Sequence, residues 1–167
     1  MENHISSWIK DSINGSDKNW LSLVFRVDSF VLGADNSVRS VWHEGLVSPA
    51  DRTNKALSWT ITECRRKHNR KMKFAAFYGG EPSIGVFPHI HAVIEQPFHI
   101  TQHDLTHYLD SLWTNKLHKL LHQQVISSVK SEILRNSDAA IAYLSRYEGN
   151  TFSIGDEKVI VNNSFYM

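Results

Sequence analysis

The stretch Pro88-His89-Ile90-His91-Ala92-Val93-Ile94-Glu95 has the clearest capacity for chemistry in this chain. It reads as a β-strand, short and apolar, bounded by Pro88 and Pro97. Alternation along a strand puts His89 and His91 on one face and Ile90, Ala92 and Ile94 on the other, toward a core. Two neighbouring neutral imidazoles make half of a divalent-metal site and suit Mn²⁺, Fe²⁺, Co²⁺ or Zn²⁺ better than Mg²⁺. The plainer alternative is a polar pair on an exposed strand face. A metal needs a third ligand. Glu95 shares the face but stands two pleats past His91, about 13 Å along the strand. Glu81 precedes His89 at the turn into the hairpin and is the preferred ligand.

Tyr143 and Tyr147 lie one helical turn apart, with Arg146 beside them. Ala140, Tyr143, Leu144 and Tyr147 also fit an ordinary packing stripe at i, i+3, i+4 and i+7. The chemical alternative makes one phenol a nucleophile. A phenol with a pKa near ~10 is weak at neutral pH. It becomes effective when a metal polarises the electrophile and a cation such as Arg146 offsets the phenolate charge. The basic run Arg65-Arg66-Lys67-His68-Asn69-Arg70-Lys71-Met72-Lys73 is either a solvated helix end, favoured by the helix dipole, or a track for backbone phosphates. Trp42, His43 and Trp59 could stack on unpaired bases. His99, His103 and His107, each four residues from the next, read as a polar helix face or as a zinc face.

The elements that must position these groups follow from periodicity. Residues 1–18 form a polar leader, either one short helix or disordered, and 19–167 a single domain. Asn19 to Asp28 is a strand by apolar content and β-propensity, and Val38 to Trp42 a short one. Asp51 to Asn69 is a helix, with Leu57, Ile61, Cys64 and His68 on one stripe. Lys73 to Tyr78 is a strand ending in a Gly79-Gly80-Glu81-Pro82 turn. His89 to Glu95 pairs with it. Thr101 to Leu121 is the strongest helix, with a stripe of Leu105, Tyr108, Leu109, Leu112, Trp113, Leu117, Leu120 and Leu121. Val125 to Ile133 is a further strand. Ser137 caps a last helix that Gly149 ends, and Phe152 to Val161 is a hairpin turning at Gly155-Asp156. The order β-α-β-β-α-β-α predicts a ferredoxin-like α+β fold, a mostly antiparallel sheet with helices packed on it.

Composition narrows the function classes. With 167 residues, 41% hydrophobic and 21% charged, the chain has ordinary globular proportions. It contains no apolar run long enough to span a bilayer and no signal-peptide core near its start. The single cysteine, Cys64, excludes an intramolecular disulfide and fits an intracellular, reducing compartment. A net charge of +1 leaves nucleic-acid binding to local basic patches. No Gly-x-x-x-x-Gly-Lys-Ser/Thr loop is present, which removes the commonest nucleotide-hydrolysing site.

Three motifs resemble one family. Pro88 to Glu95 resembles the His-hydrophobe-His (HUH) motif of rolling-circle replication initiators. The Phe74 to Tyr78 strand with Glu81 resembles the strand and acidic residue that lead into it. Ala142-Tyr143-Leu144-Ser145-Arg146-Tyr147 is similar to the family's Tyr-x-x-Lys motif, with Arg146 at the lysine position, and Trp20 to Phe25 resembles its first strand. The resemblance covers about Trp20 to Glu148. It implies a central five-stranded sheet with the histidines on a central strand, and a metal-dependent enzyme that nicks and rejoins single-stranded DNA. Glu81, His89 and His91 would hold Mn²⁺ or Mg²⁺. Tyr143 would be the nucleophile, with Tyr147 a second candidate as in two-tyrosine phage initiators. Single-stranded or hairpin DNA would be the partner, with a helicase supplied in trans inside a cell carrying a plasmid, phage or virus. Small insertion-sequence-type single-strand transposases share the histidine motif, but Tyr143 to Asn150 has no glutamine such as usually follows their tyrosine. A cupin-like metal enzyme matches His89-x-His91-x-x-x-Glu95 but not the flanking glycines. A binding module without catalysis is the remaining rival.

Overall fold

The computed structural model describes residues 4–32, 38–40, 49–81, 86–121, 125–139 and 159–161. In chain order these form α1 (His4–Asn14), β1 (Trp20–Leu32), β2 (Val38–Ser40), α2 (Pro49–Lys67), β3 (Phe74–Glu81), β4 (Val86–Glu95), α3 (Gln102–Leu121), β5 (Val125–Leu134) and β6 (Val159–Val161). The fold is α+β. Its sheet runs β5-β1-β4-β3-β6, with β2 against the far end of β1, and every pairing is antiparallel. Six strands therefore stand among the described residues where five were expected. Four are long, and β2 and β6 have three residues each. Strands that short carry too little periodicity to be read singly.

Strand alternation builds the core. On β1, Leu21, Leu23, Phe25 and Val27 are buried. On β4 the buried residues of the same face are Ile90, Ala92 and Ile94, and on β3 they are Phe74 and Ala76. All of them join one cluster with Ala56, Leu57, Ile61 and Cys64 of α2 and Leu105, Leu109, Trp113 and Leu117 of α3. Both helices thus cover the same face of the sheet. Burial pushes the Cys64 thiol up to about 12, which leaves it a packing group rather than a nucleophile. Trp113 meets Phe25 edge to face at 5.3 Å and donates its indole N–H to the Arg26 carbonyl at 3.0 Å.

A second stripe on α3 is polar. Gln102, Thr106, Asp110 and Thr114 recur every four residues, beside the buried stripe Leu105, Leu109, Trp113 and Leu117. They run along β5. Gln102 donates to the Ser131 carbonyl, Thr106 and Thr114 pair with the hydroxyls of Ser131 and Ser127, and the Asp110 carboxylate accepts the Val129 N–H at 2.8 Å. An edge strand otherwise offers bare backbone groups to other chains, and here α3 satisfies two of them, the Ser131 carbonyl and the Val129 N–H. The helix starts with Thr101, whose hydroxyl accepts the Asp104 N–H and donates to its carboxylate.

Two local expectations change. β3 continues through Gly79-Gly80 to Glu81, because the partner strand extends back to Val86 and ladder pairing overrides the local turn preference. The register shifts by one residue between Gly79 and Glu81, beside Pro88, which has no N–H to donate. Asn136, not Ser137, caps the turn at 137–139: its side-chain oxygen accepts the Ala139 N–H. The expected leader contains helix α1, which buries Ile9. Of the expected C-terminal hairpin, the described part is β6, which pairs with β3. Among the described residues no helix is long and apolar enough to cross a membrane.

Truncating Trp113 to alanine should destabilise the protein by about 3–5 kcal/mol, from lost burial and the lost indole bond. Asp110→Ala should cost about 1.5–3 kcal/mol, because it orphans the Val129 N–H. Urea unfolding of the two variants checks both values and their order.

Candidate functional site

β4 lies at the centre of the sheet and is hydrogen-bonded on both sides. A backbone held this way is a stiff platform for the side chains it carries. His89 and His91 occupy the face away from α2 and α3. Their rings pack edge to face with centroids 4.8 Å apart. His89 is half-buried and His91 is 6% exposed. Burial, with His89 adding to it, lowers His91 to about 4. A neutral imidazole keeps its lone pair, as ligation requires. Two imidazole nitrogens about 2 Å from one divalent ion place their ring centroids roughly 5 Å apart. The observed spacing of 4.8 Å matches that separation. Among the described residues no three metal-type side chains converge.

Glu81 ends β3, at the hairpin end of the sheet away from Glu95, and pairs in register with Val86. Its side chain lies outside what the structure describes. Glu95 is excluded as a ligand by its own contacts. Its carboxylate accepts from Ser16 at 3.1 Å and binds the Lys18 ammonium at 3.3 Å, at the opposite end of β4. That also removes the cupin frame, as do two helices of 19 and 20 residues. Gly79 stands directly across from His89, so the β3 residue on that rung carries no side chain. Tyr143, Arg146 and Tyr147 lie outside the described residues, as do Trp42 and His43.

The basic run is not brought to the histidines. Arg65, Arg66 and Lys67 end α2, on the helix-covered side, and Arg70, Lys71 and Lys73 lead into β3 at its Glu95 end. Six strand residues, roughly 20 Å, separate Lys73 from Gly79. Several of these cations have local partners. Arg65 donates to the Arg70 carbonyl, Arg66 pairs with Glu63 at 2.7 Å, and Lys67 lies 4.2 Å from the Tyr108 ring centre. Trp59 is exposed on α2 with Lys116 over its ring. His99, His103 and His107 do not share a helix face, because α3 begins at Gln102. His99 instead hydrogen-bonds His68 at 3.1 Å. Burial, His99 and Lys67 lower the His68 pKa.

Two residues that local reading missed stand near the pair. Arg26 of β1 is directly across from His89, and Val24 is across from His91. On the other side of β1, Arg26 faces Ser128 and Val24 faces Lys130 of β5. Opposed residues in an antiparallel ladder share a face, so Arg26 and Lys130 belong to the histidine face. Both are exposed, whereas Trp20, Ala75 and Val93 at the other end of that face are buried. The only local signal was an arginine at an outward position of an otherwise apolar strand. A groove of about 710 Å³ adjoins them, lined in part by Ser22, Val24, His103, Thr106 and Lys130.

Between about pH 4 and 6.5 the unfolded chain binds the proton that the folded His91 refuses. Stability should therefore rise with pH across that window and level off above it. In metal-free protein the melting temperature should show this rise, and His91→Gln should flatten it.

No family model matches the chain, and no curated protein matches it. Among solved structures it is similar to the catalytic domain of the Adeno Associated Virus type 5 Rep protein, at 14% identity and a TM-score of 0.41, over 87% of this chain and 76% of that one. That likeness is too slight to support a functional argument.

Proposed function

We propose that this chain is a metal-dependent enzyme that nicks and rejoins single-stranded DNA, of the kind that initiates rolling-circle replication. The observation that carries the reading is the pair His89 and His91, neighbours on the face of a central strand that α2 and α3 leave uncovered, within the motif Pro88 to Glu95. In this reading His89, His91 and Glu81 hold one Mn²⁺ or Mg²⁺. When bound, the ion offsets charge on a non-bridging oxygen of the scissile phosphate.

The chain's own residues do the rest. The Tyr143 phenolate attacks phosphorus in line as the P–O3′ bond breaks. The products are a 5′-phosphotyrosine and a free 3′-OH. Arg146 offsets charge on the phenolate or the phosphate. The phosphoester survives in the adduct, so attack by a 3′-OH reseals the strand without ATP. Tyr147, one turn on, is the second candidate nucleophile. The basic run from Arg65 to Lys73, at the far end of the sheet, would meet hairpin or duplex DNA flanking the nick rather than the scissile phosphate.

Protein mixed with labelled single-stranded and hairpin DNAs in Mn²⁺ should give a slow band on a denaturing gel. EDTA and Tyr143→Phe should abolish it, and His89→Ala or His91→Ala should lower its rate by about 10²-fold or more. A band lost in Tyr147→Phe but kept in Tyr143→Phe moves the nucleophile. Binding without any band leaves a module that does not cut.

A further inference from the structure

We infer that Arg26 and Lys130 hold the backbone phosphates of a single strand beside the histidine pair, and that they lead it across β1 and β5 into the adjoining groove. The inference rests on the nucleic-acid reading above and names the residues that would bind that substrate.

Consecutive rungs of the sheet set up the arrangement. One carries His89, Arg26 and Ser128, and the other carries His91, Val24 and Lys130. Arg26 and Lys130 are therefore diagonal neighbours, with Cα atoms about 7–8 Å apart. Both side chains are exposed, and neither makes an ion pair among the described residues. β1 is an inner strand, paired on both sides over this segment, and its remaining side chains from Trp20 to Val27 are buried or half-buried. A solvated arginine at such a position contributes nothing to the core. Two like charges placed diagonally on one face also repel, and an anion lying between them removes that repulsion. The arginine fork can engage two phosphate oxygens at once, while the lysine acts as a point charge.

The next rung carries Glu132, across from Ser22. Its carboxylate disfavours a phosphate placed beyond Lys130 on that side, so the charged track is two cations long. Glu132 also lines the groove, together with Ser22, His103 and Thr106 and the apolar side chains of Val24 and Val129. That lining suits a sugar and base rather than another phosphate. In the basic run Arg65, Arg66 and Lys67 already have protein partners, and the exposed Arg70 and Lys71 precede β3 at its Glu95 end, away from the histidines.

The test is the salt dependence of binding of a labelled oligothymidine to the full-length chain, read by fluorescence anisotropy in EDTA. Each phosphate contact contributes about 0.7 to the slope of log affinity against log salt. Arg26→Gln and Lys130→Gln should each lower the slope by about 0.7, and the double variant by about 1.4. Arg26→Lys should restore the slope, since it keeps the charge, while Lys55→Gln on α2 should leave it unchanged. Matching melting curves would separate these effects from unfolding. An unchanged slope in the double variant, with wild-type protein binding normally, overturns the inference. So does a slope that falls in Arg70→Gln and Lys71→Gln instead. If wild-type protein forms the tyrosine adduct on the gel while the double variant keeps its slope, only this inference fails. If wild-type protein does not bind the strand at all, the proposed function fails with it.

Discussion

Burial of alternate residues on β1 and β4 beneath α2 and α3 sets the register on which the candidate site depends. Leu21, Leu23, Phe25, Ile90, Ala92 and Ile94 must all lie under the helices, because their exposure would cost about 1.5–3 kcal/mol for each large side chain. Strand geometry then leaves no choice for the residues between them. A slip of one residue would drive His89 and His91 into the core and expose Ile90 and Ala92. The same apolar contacts that stabilise the fold therefore aim the imidazoles. The ladders on both sides of β4 hold that aim.

The face that carries the histidines has two unlike ends. At one end Glu95 is tied to Ser16 and Lys18, Gln96 donates to the Asn19 carbonyl, and Trp20, Ala75 and Val93 are enclosed. At the other end Arg26 and Lys130 are open to solvent. A carboxylate neutralised by a lysine is a structural clamp, whereas exposed cations that make no ion pair among the described residues are available to an anion. His91 sits between these environments, buried enough to stay neutral and one rung from the open end.

α3 combines two tasks by placing two stripes side by side. Leucines and Trp113 fill the core, while Gln102, Thr106, Asp110 and Thr114 close the β5 edge. The polar stripe also explains why β5 can stand as an outer strand despite exposed Ile126 and Ile133. Two of its backbone groups engage the helix instead of inviting another chain.

Much of this was legible locally. Apolar residues at a spacing of two marked β1 and β4, and a spacing of four marked α3, because those periods are the geometry of the strand and the helix themselves. The shared face of His89 and His91, and the distance that removes Glu95 from them, follow from the pleat alone. Other features were not local properties. Strands as short as β2 and β6 exist only through their partners, and β3 runs through a Gly-Gly pair because β4 lies beside it. Tertiary pairing alone decided that Arg26 and Lys130 flank the histidines while the longer basic run lies at the opposite end of the sheet. Periodicity reports which way a side chain faces its own element. Which elements become neighbours is decided by long-range hydrogen bonding and by how the helices cover the sheet, and no window of sequence contains both partners.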